Sequence, residues 1–216
     1  MAKKKKVTQQ DIISMYMDYV LEHNEEPKSV YKFTKDNNFD ESLFYQSFAS
    51  FESIKSSIFT VFFENTMVLL GKSEEFEGFD AKNKLLSFYY TFFEMLTANR
   101  SYVVYALQKE DKLKGLKSLK SLGVHFRKFI DGLAIEKLDF KQERLEKLQD
   151  KALSESAWAQ LLLTIKFWLD DTSPAFEKTD VFIEKSVKAS FDIMNIAPIK
   201  SVIDLGKFLF KEKMMK

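Results

Sequence analysis

The chain contains no cysteine, and only six glycines and three prolines among its 216 residues. Without cysteine it can form no disulfide, no zinc–thiolate site and no thiol nucleophile. The scarcity of glycine and proline disfavours a β-rich fold, which needs many turns. No apolar run reaches the ~18–20 residues of a membrane span, and the basic N-terminus lacks the apolar stretch of a signal peptide. We therefore expect a cytoplasmic protein with no transmembrane segment.

Residues that catalyse reactions or bind metals are also scarce. The two histidines, His23 and His125, have no second histidine or carboxylate at a dependable metal-binding spacing. The sequence has no glycine-rich phosphate-binding loop and no G-x-S-x-G nucleophile motif. We therefore predict no catalytic residue, no metal site and no cofactor, and we expect that the protein is not an enzyme.

Apolar residues make up 45% of the chain and recur mostly at helical spacing, which predicts an all-α fold. Thr8-x-x-Asp11 resembles a capping box that begins the first helix. A long apolar helix is predicted from Ser50 to about Leu70. The polar stretch Gly71–Gly78 is predicted to be a loop between two helical parts of the chain.

The stretch from Ser29 to Ile54 has the pattern of two short helices and the start of a third. Ser29 and Asp40 are candidate N-caps, because their side chains can accept free N–H groups of a first helical turn. Asn37-Asn38 is typical of a helix end, since asparagine tolerates the left-handed conformation. Two short helices that follow a longer one predict a helix-turn-helix.

From Ile12 to Ile58 the chain resembles the N-terminal domain of TetR-type bacterial regulators. The matching residues are Ser29-Val30, Phe39-Asp40, Phe44-Tyr45 with Phe48, and Ser50 with Glu52 and Ile54. The resemblance implies a TetR-like, three-helix head at residues 1–53 and a larger helical body for ligand binding and dimerisation at residues 54–216. It further implies a ligand-responsive transcriptional regulator that binds DNA as a homodimer.

In a helix-turn-helix the second short helix enters the major groove and offers its first residues to the bases. The candidate DNA-binding residues are Lys28, Ser29, Glu41, Ser42, Leu43, Tyr45, Gln46 and Lys55, with an N-terminal arm of Lys3, Lys4, Lys5 and Lys6. The arm has a second interpretation as a solvated tail. Three positions depart from the family: the turn glycine is Asn38, the basic residue after the cap is Glu41, and the lysine of the fourth helix is Phe51. These departures predict weak DNA binding that depends strongly on salt.

The body is predicted to dimerise through the helices Glu155–Asp170 and Ala175–Asn195, as the resembled family does. Their apolar stripes are too wide for one side of contact, and the substitution Ile183→Glu is expected to give monomers or aggregates. An apolar pocket for a small molecule or lipid is also predicted. Its walls would be Phe88, Tyr89, Phe92, Tyr102, Tyr105, Phe126, Phe129 and Trp168. The alternative is a solid aromatic core.

Lys112–Leu122 has leucines at every third position, with lysines beside them. One interpretation is a basic amphipathic face for lipids or acidic groups. The other is a core stripe next to a solvated stripe. The leucines are Leu113, Leu116, Leu119 and Leu122, and the lysines are Lys114, Lys117 and Lys120.

The C-terminal part is similar to the TetR-like lipid-binding accessory proteins of ubiquinone biosynthesis. The similarity lies in the aspartate-x-serine-proline sequence that ends at Pro174 and in the aromatic start of the following helix. An additional amphipathic helix is predicted at Pro198–Lys213, which either contacts lipid or packs on its own domain or its dimer mate. The alternative function is therefore a lipid- or isoprenoid-binding accessory protein with a degenerate DNA-binding head.

Overall fold

The computed structural model describes residues 7–109, 112–135, 143–194 and 208. These residues form helices and no strand, which confirms the predicted all-α fold. The α-helices are α1 (Gln9–His23), α2 (Val30–Asp36), α3 (Glu41–Ser47), α4 (Phe51–Leu70), α5 (Glu74–Gly78), α6 (Ala81–Ala98), α7 (Arg100–Val104), α8 (Lys112–Ser118), α9 (Lys120–Asp131), α10 (Glu143–Asp170) and α11 (Glu177–Met194). A π-helical turn spans Tyr105–Lys109 and a 3₁₀ turn spans Pro174–Phe176.

None of the helices described is long and apolar enough to cross a membrane. The arm Lys3–Lys6 and, apart from residue 208, the predicted helix Pro198–Lys213 lie outside the described residues. The chain forms two compact units. The first comprises Met1–Leu69 and Thr91–Phe126, and the second comprises Leu70–Tyr90 and Arg127–Lys216. The functional division proposed after residue 53 stays a prediction.

Local capping chemistry fixes the helix ends at the start of the first unit. Thr8 and Asp11 form the predicted capping box, in which each side chain bonds the backbone N–H of the other residue. The Ser29 hydroxyl accepts the N–H of Lys32 and caps α2. Asn38 has a φ of 56°, while Phe39 N–H bonds the carbonyl of Thr34. This is a Schellman motif with asparagine in the left-handed position where the resembled family has glycine.

The core of the helix-turn-helix is a cluster of aromatic rings around Phe33. The rings of Tyr19, Phe39, Phe44 and Phe51 all meet Phe33 edge-on, at centroid distances of 5.6–6.3 Å. Edge-to-face pairs of this kind add to the free energy of apolar burial. Phe51 therefore packs inward at the position where the resembled family has a lysine.

Two local predictions were wrong. Asp40 precedes α3, but its side chain makes no capping hydrogen bond. The predicted loop Gly71–Gly78 contains the short helix α5, whose Phe76 is buried. Glutamates in the first turn favour a helix, because they interact well with the positive end of its dipole. Polarity alone, which suggested a loop, does not distinguish the two structures.

In the second unit the buried carboxylate of Asp171 joins the end of α10 to the start of α11. One oxygen accepts the N–H and hydroxyl of Ser173, at 2.8 and 2.7 Å. The other accepts the N–H and hydroxyl of Thr179, at 3.0 and 2.7 Å. Burial raises the pKa of Asp171, but these hydrogen bonds lower it more, to about 2.

Replacing Asp171 with asparagine is expected to lower the melting temperature at neutral pH, because an amide cannot accept all four hydrogen bonds. The pKa of Asp171 is depressed from 3.8 to about 2, so its stabilisation is present above the unfolded pKa. This stabilisation is lost as the pH falls from 3.8 to about 2, because the carboxylate is then protonated. Thermal unfolding at several pH values should show the difference between the two proteins shrinking on acidification. Asp170→Asn, at an exposed neighbouring position, is the control and should change little.

Candidate functional site

The outer face of α3 is the first candidate site. Ser42, Tyr45 and Gln46 are exposed there, while Glu41 and Leu43 are half-buried. Their spacing places the three exposed side chains on one side of the helix. They offer hydroxyl and amide groups that can bond base edges or phosphates. The helix contains no lysine or arginine.

The structure also shows a surface on α2 that the sequence analysis did not single out. Tyr31 is 62% exposed, and the ammonium of Lys35 lies 5.7 Å from the centre of its ring. Lys32 is exposed as well. An aromatic residue close to two lysines in a short helix was the signal available in the sequence. Among the predicted residues near α2, Lys28 is exposed and Ser29 serves as the helix cap.

Lys55 does not lie where a DNA contact requires it. Its side chain is 4% exposed, and its ammonium lies 2.6 Å from Glu26 and 2.9 Å from Glu52. The Glu26 carboxylate also accepts the hydroxyl of buried Tyr16, at 3.1 Å. Burial and the neighbouring Tyr102, Glu26 and Tyr105 all raise the pKa of Tyr16. Because its charge is directed inward and balanced there, we remove Lys55 from the proposed DNA contacts.

The charge around the helix-turn-helix is negative. Residues 7–53 contain three lysines, Lys28, Lys32 and Lys35, against nine aspartates and glutamates, which is a formal charge of −6. Phosphate contacts supply much of the affinity of most DNA-binding proteins. This part of the head therefore attracts DNA only through individual side chains, not through its overall charge.

A second candidate site lies on the outer face of α10 and α11. Leu163, Phe167 and Val181 are exposed, and Phe182 is half-buried beside them. The rings of Phe167 and Phe182 stack at a centroid distance of 4.6 Å, with 9° between their planes. Two adjoining clefts, of about 460 and 440 Å³, share Phe167, Lys178 and Phe182 in their walls. Exposed apolar clusters of this kind mark interaction sites.

Part of the wide apolar stripes of α10 and α11 holds these two helices together within one chain, and the dimer stays a prediction. The main residues of these stripes are buried within the second unit. They are Leu161, Ile165, Trp168, Ile183 and Val187. The Gln160 amide adds hydrogen bonds with Ser186 and Ser190. The Ile183 side chain is fully buried against its own chain, so of the two predicted outcomes of Ile183→Glu the burial favours aggregates over monomers.

The predicted pocket residues are distributed over both units. All are buried except Phe129, which is half-buried. Phe88, Tyr89, Phe129 and Trp168 belong to the second unit, and Phe92, Tyr102, Tyr105 and Phe126 belong to the first. Burial raises the pKa of Tyr89. None of the eight lines the two clefts on α10 and α11, and the pocket stays a prediction.

A comparison with known protein families gives a match. A family described as tetracyclin repressor-like, C-terminal domain, matches residues 84–209, which is more than half of the chain. The matched range includes α10, α11 and the exposed apolar face between them. No curated protein matches the chain.

Proposed function

The chain belongs to the TetR family of tetracycline repressor-like proteins, and we propose that it is a ligand-responsive transcriptional regulator that binds DNA as a homodimer. The observation that carries the proposal is the pair of short helices α2 and α3. They are joined by the left-handed Asn38, and the second presents Tyr45 and Gln46 to solvent. This is the arrangement by which helix-turn-helix proteins place side chains in the major groove. We place this activity in the cytoplasm.

The second copy in the homodimer would pack on the outer face of α10 and α11. Leu163, Phe167, Val181 and Phe182 form an apolar centre. Charged residues of both signs surround this centre, including Lys166, Asp170, Glu177 and Lys185. An apolar centre with a polar rim is the usual composition of a protein interface.

Ligand binding would act by changing the balance between two arrangements of the dimer. An apolar small molecule or lipid would bind the body, and DNA would bind the two heads. The ligand can shift this balance only as far as its affinities for the two arrangements differ.

The proposed DNA contacts are Ser42, Tyr45 and Gln46 on α3, with Lys28 and Ser29 before α2. Glu41 and Leu43 remain in the proposed set at the start of α3, where they are half-buried. Lys32 and Lys35 join the set because their helix is exposed beside Tyr31. The arm Lys3, Lys4, Lys5 and Lys6 supplies four of the few positive charges in this part of the sequence.

Deleting Lys3–Lys6 is expected to weaken binding to every DNA sequence to a similar degree. Each lost phosphate contact should lower the slope of log affinity against log salt by up to about one unit. Gel-shift titrations of the protein's own upstream DNA at several salt concentrations measure this. The control is Lys147→Gln with Lys151→Gln, which removes two charges from α10. Tight binding that survives the deletion at about 200 mM salt would contradict the proposed role of the arm.

The negative charge of the head favours a second candidate function. Three lysines stand against nine acidic residues at 7–53, Lys55 is neutralised inside, and Phe51 packs into the core. A head of this composition fits a lipid- or isoprenoid-binding accessory protein that no longer binds DNA. Mass spectrometry of lipids extracted from the purified protein tests this candidate. Bound lipid together with no gel shift at low salt would favour it over the regulator.

A further inference from the structure

The residues of α8 and α9 form the most basic part of the described chain. From residue 112 to residue 130 the sequence has five lysines and one arginine and no aspartate or glutamate. The whole chain has a net charge of only +1. The positive charge of this segment is therefore locally concentrated, because the acidic residues that balance it lie in other parts of the sequence.

The structure shows which side of these helices faces solvent. Leu116 is 56% exposed and Val124 is 61% exposed, although both are apolar. Lys117 and Lys120 are exposed too. Leu116 and Lys117 belong to α8, while Lys120 and Val124 lie four residues apart on α9 and therefore on one side of that helix.

The core of the first unit uses a different set of side chains from the same two helices. Leu119, Leu122 and Phe126 are at most 3% exposed. The chain turns at Leu119, between α8 and α9, and this break separates Leu116 from the buried leucines. The four leucines do not form one core stripe, because Leu116 belongs to the solvent face.

The lysines on this exposed side are available for a partner. In the described parts of the chain no carboxylate pairs with Lys117 or Lys120. We propose that the exposed ridge of the first unit formed by Leu116 and Lys117 of α8 with Lys120 and Val124 of α9 docks on an anionic membrane surface.

The exposed apolar side chains distinguish a membrane from a nucleic acid as the partner. Lysines alone suit either polyanion, because both attract them by charge. Leucine and valine between the lysines gain nothing from a phosphate backbone. At a bilayer they enter the boundary between headgroups and acyl chains while the neighbouring lysines stay with the headgroups. Docking of this kind is peripheral, and it goes beyond the proposed regulation of transcription.

Sedimentation of the full-length protein with lipid vesicles tests the proposal. Vesicles of phosphatidylcholine with about a third phosphatidylserine should bind the protein, and vesicles of phosphatidylcholine alone should bind it much less. The variant Lys117→Gln with Lys120→Gln should bind about fivefold more weakly for each lysine lost. Leu116→Ser with Val124→Ser should also weaken binding several-fold, because the apolar contribution is removed.

Matched substitutions at exposed residues outside the ridge serve as controls. Val68→Ser with Leu148→Ser removes two apolar side chains that are 59% and 57% exposed, and vesicle binding should not change. Gel shifts with the protein's upstream DNA are run on the same variants. No binding to anionic vesicles would overturn the proposal.

A second result would also overturn it, and would identify the partner as a nucleic acid. In that result the lysine variant loses DNA binding, and the serine variant binds vesicles with the same affinity as the unmodified protein. Loss of vesicle binding with an unchanged gel shift would support the membrane surface and leave the proposed regulator intact.

Discussion

Replacing Phe167 with glutamate is expected to convert the proposed homodimer into a folded monomer. Phe167 lines both clefts on α10 and α11 and stacks on Phe182 at 4.6 Å. An aromatic side chain at the centre of an interface contributes about 2 kcal/mol or more to association. A carboxylate at the same place would in addition be buried without a partner. We therefore expect the dissociation constant to rise by about 30-fold or more.

Multi-angle light scattering over a range of concentrations measures the change, and circular dichroism reports whether the fold is kept. Phe167 is 37% exposed within one chain, so the glutamate can be solvated in the monomer. Val68→Glu is the matched control, because it places the same charge at an exposed apolar residue of α4. It should leave the dimer unchanged.

Ile183→Glu provides a contrasting variant for the same experiment. Its side chain is fully buried between α10 and α11 of one chain, so the carboxylate would enter the core. We expect loss of helical signal and aggregation instead of a folded monomer. A Phe167→Glu protein that remains dimeric at low concentration would show that the second copy binds elsewhere.

Capping chemistry in the head was predictable because it depends on neighbours in the sequence. The Thr8 and Asp11 capping box, the Ser29 cap and the helix end at Asn38 involve residues within a few positions of one another. Local propensity therefore specifies them. Asp40 shows the limit, because a favourable residue type at the right place does not guarantee the hydrogen bond.

The direction in which an apolar stripe faces was not predictable from periodicity. Helices α10 and α11 each carry apolar residues on more than one side, and the period does not tell which side meets its own chain. The structure turns Ile183 inward and leaves Phe167 partly exposed. Leu116 shows the same limit, since its solvent exposure follows from the break at Leu119.

The position of Lys55 depends on a contact between distant parts of the sequence. A lysine near the start of a helix is normally exposed, so its residue type predicted a phosphate contact. Its partner Glu26 lies before α2, and Tyr16 comes from α1. Only the tertiary packing of three segments brings these groups together, and no sequence pattern marks it.

Replacing Glu26 with leucine is expected to destabilise the first unit by roughly 3 kcal/mol, because it breaks a buried ion pair from one side. The Lys55 side chain is 4% exposed, and its ammonium would lose the Glu26 carboxylate at 2.6 Å and keep Glu52, at 2.9 Å. The Tyr16 hydroxyl would also lose this acceptor. Glu26 itself is 37% exposed, so we expect the lower end of the effects measured for buried pairs.

The substitution Lys55→Met should cost less, about 1 kcal/mol, although it breaks the same pair. Methionine fills a similar volume, and the carboxylates left behind are 37% and 55% exposed and can be hydrated. The double variant Glu26→Leu with Lys55→Met should then be more stable than Glu26→Leu alone, since the buried ammonium is gone. Urea unfolding followed by circular dichroism gives the free energy of unfolding for each protein.

The control is Glu25→Leu, which makes the same change at an exposed glutamate one residue away. Its effect should stay within about 0.5 kcal/mol. The free energies of Glu26→Leu, Lys55→Met and the double variant show whether the Lys55 ammonium is buried. If this ammonium were solvated and paired only weakly with Glu26, the two single changes would be small and would add up to the effect of the double variant. If Glu26→Leu is no more harmful than Glu25→Leu, the Lys55 ammonium is solvated. Lys55 would then return to the residues available to DNA phosphates.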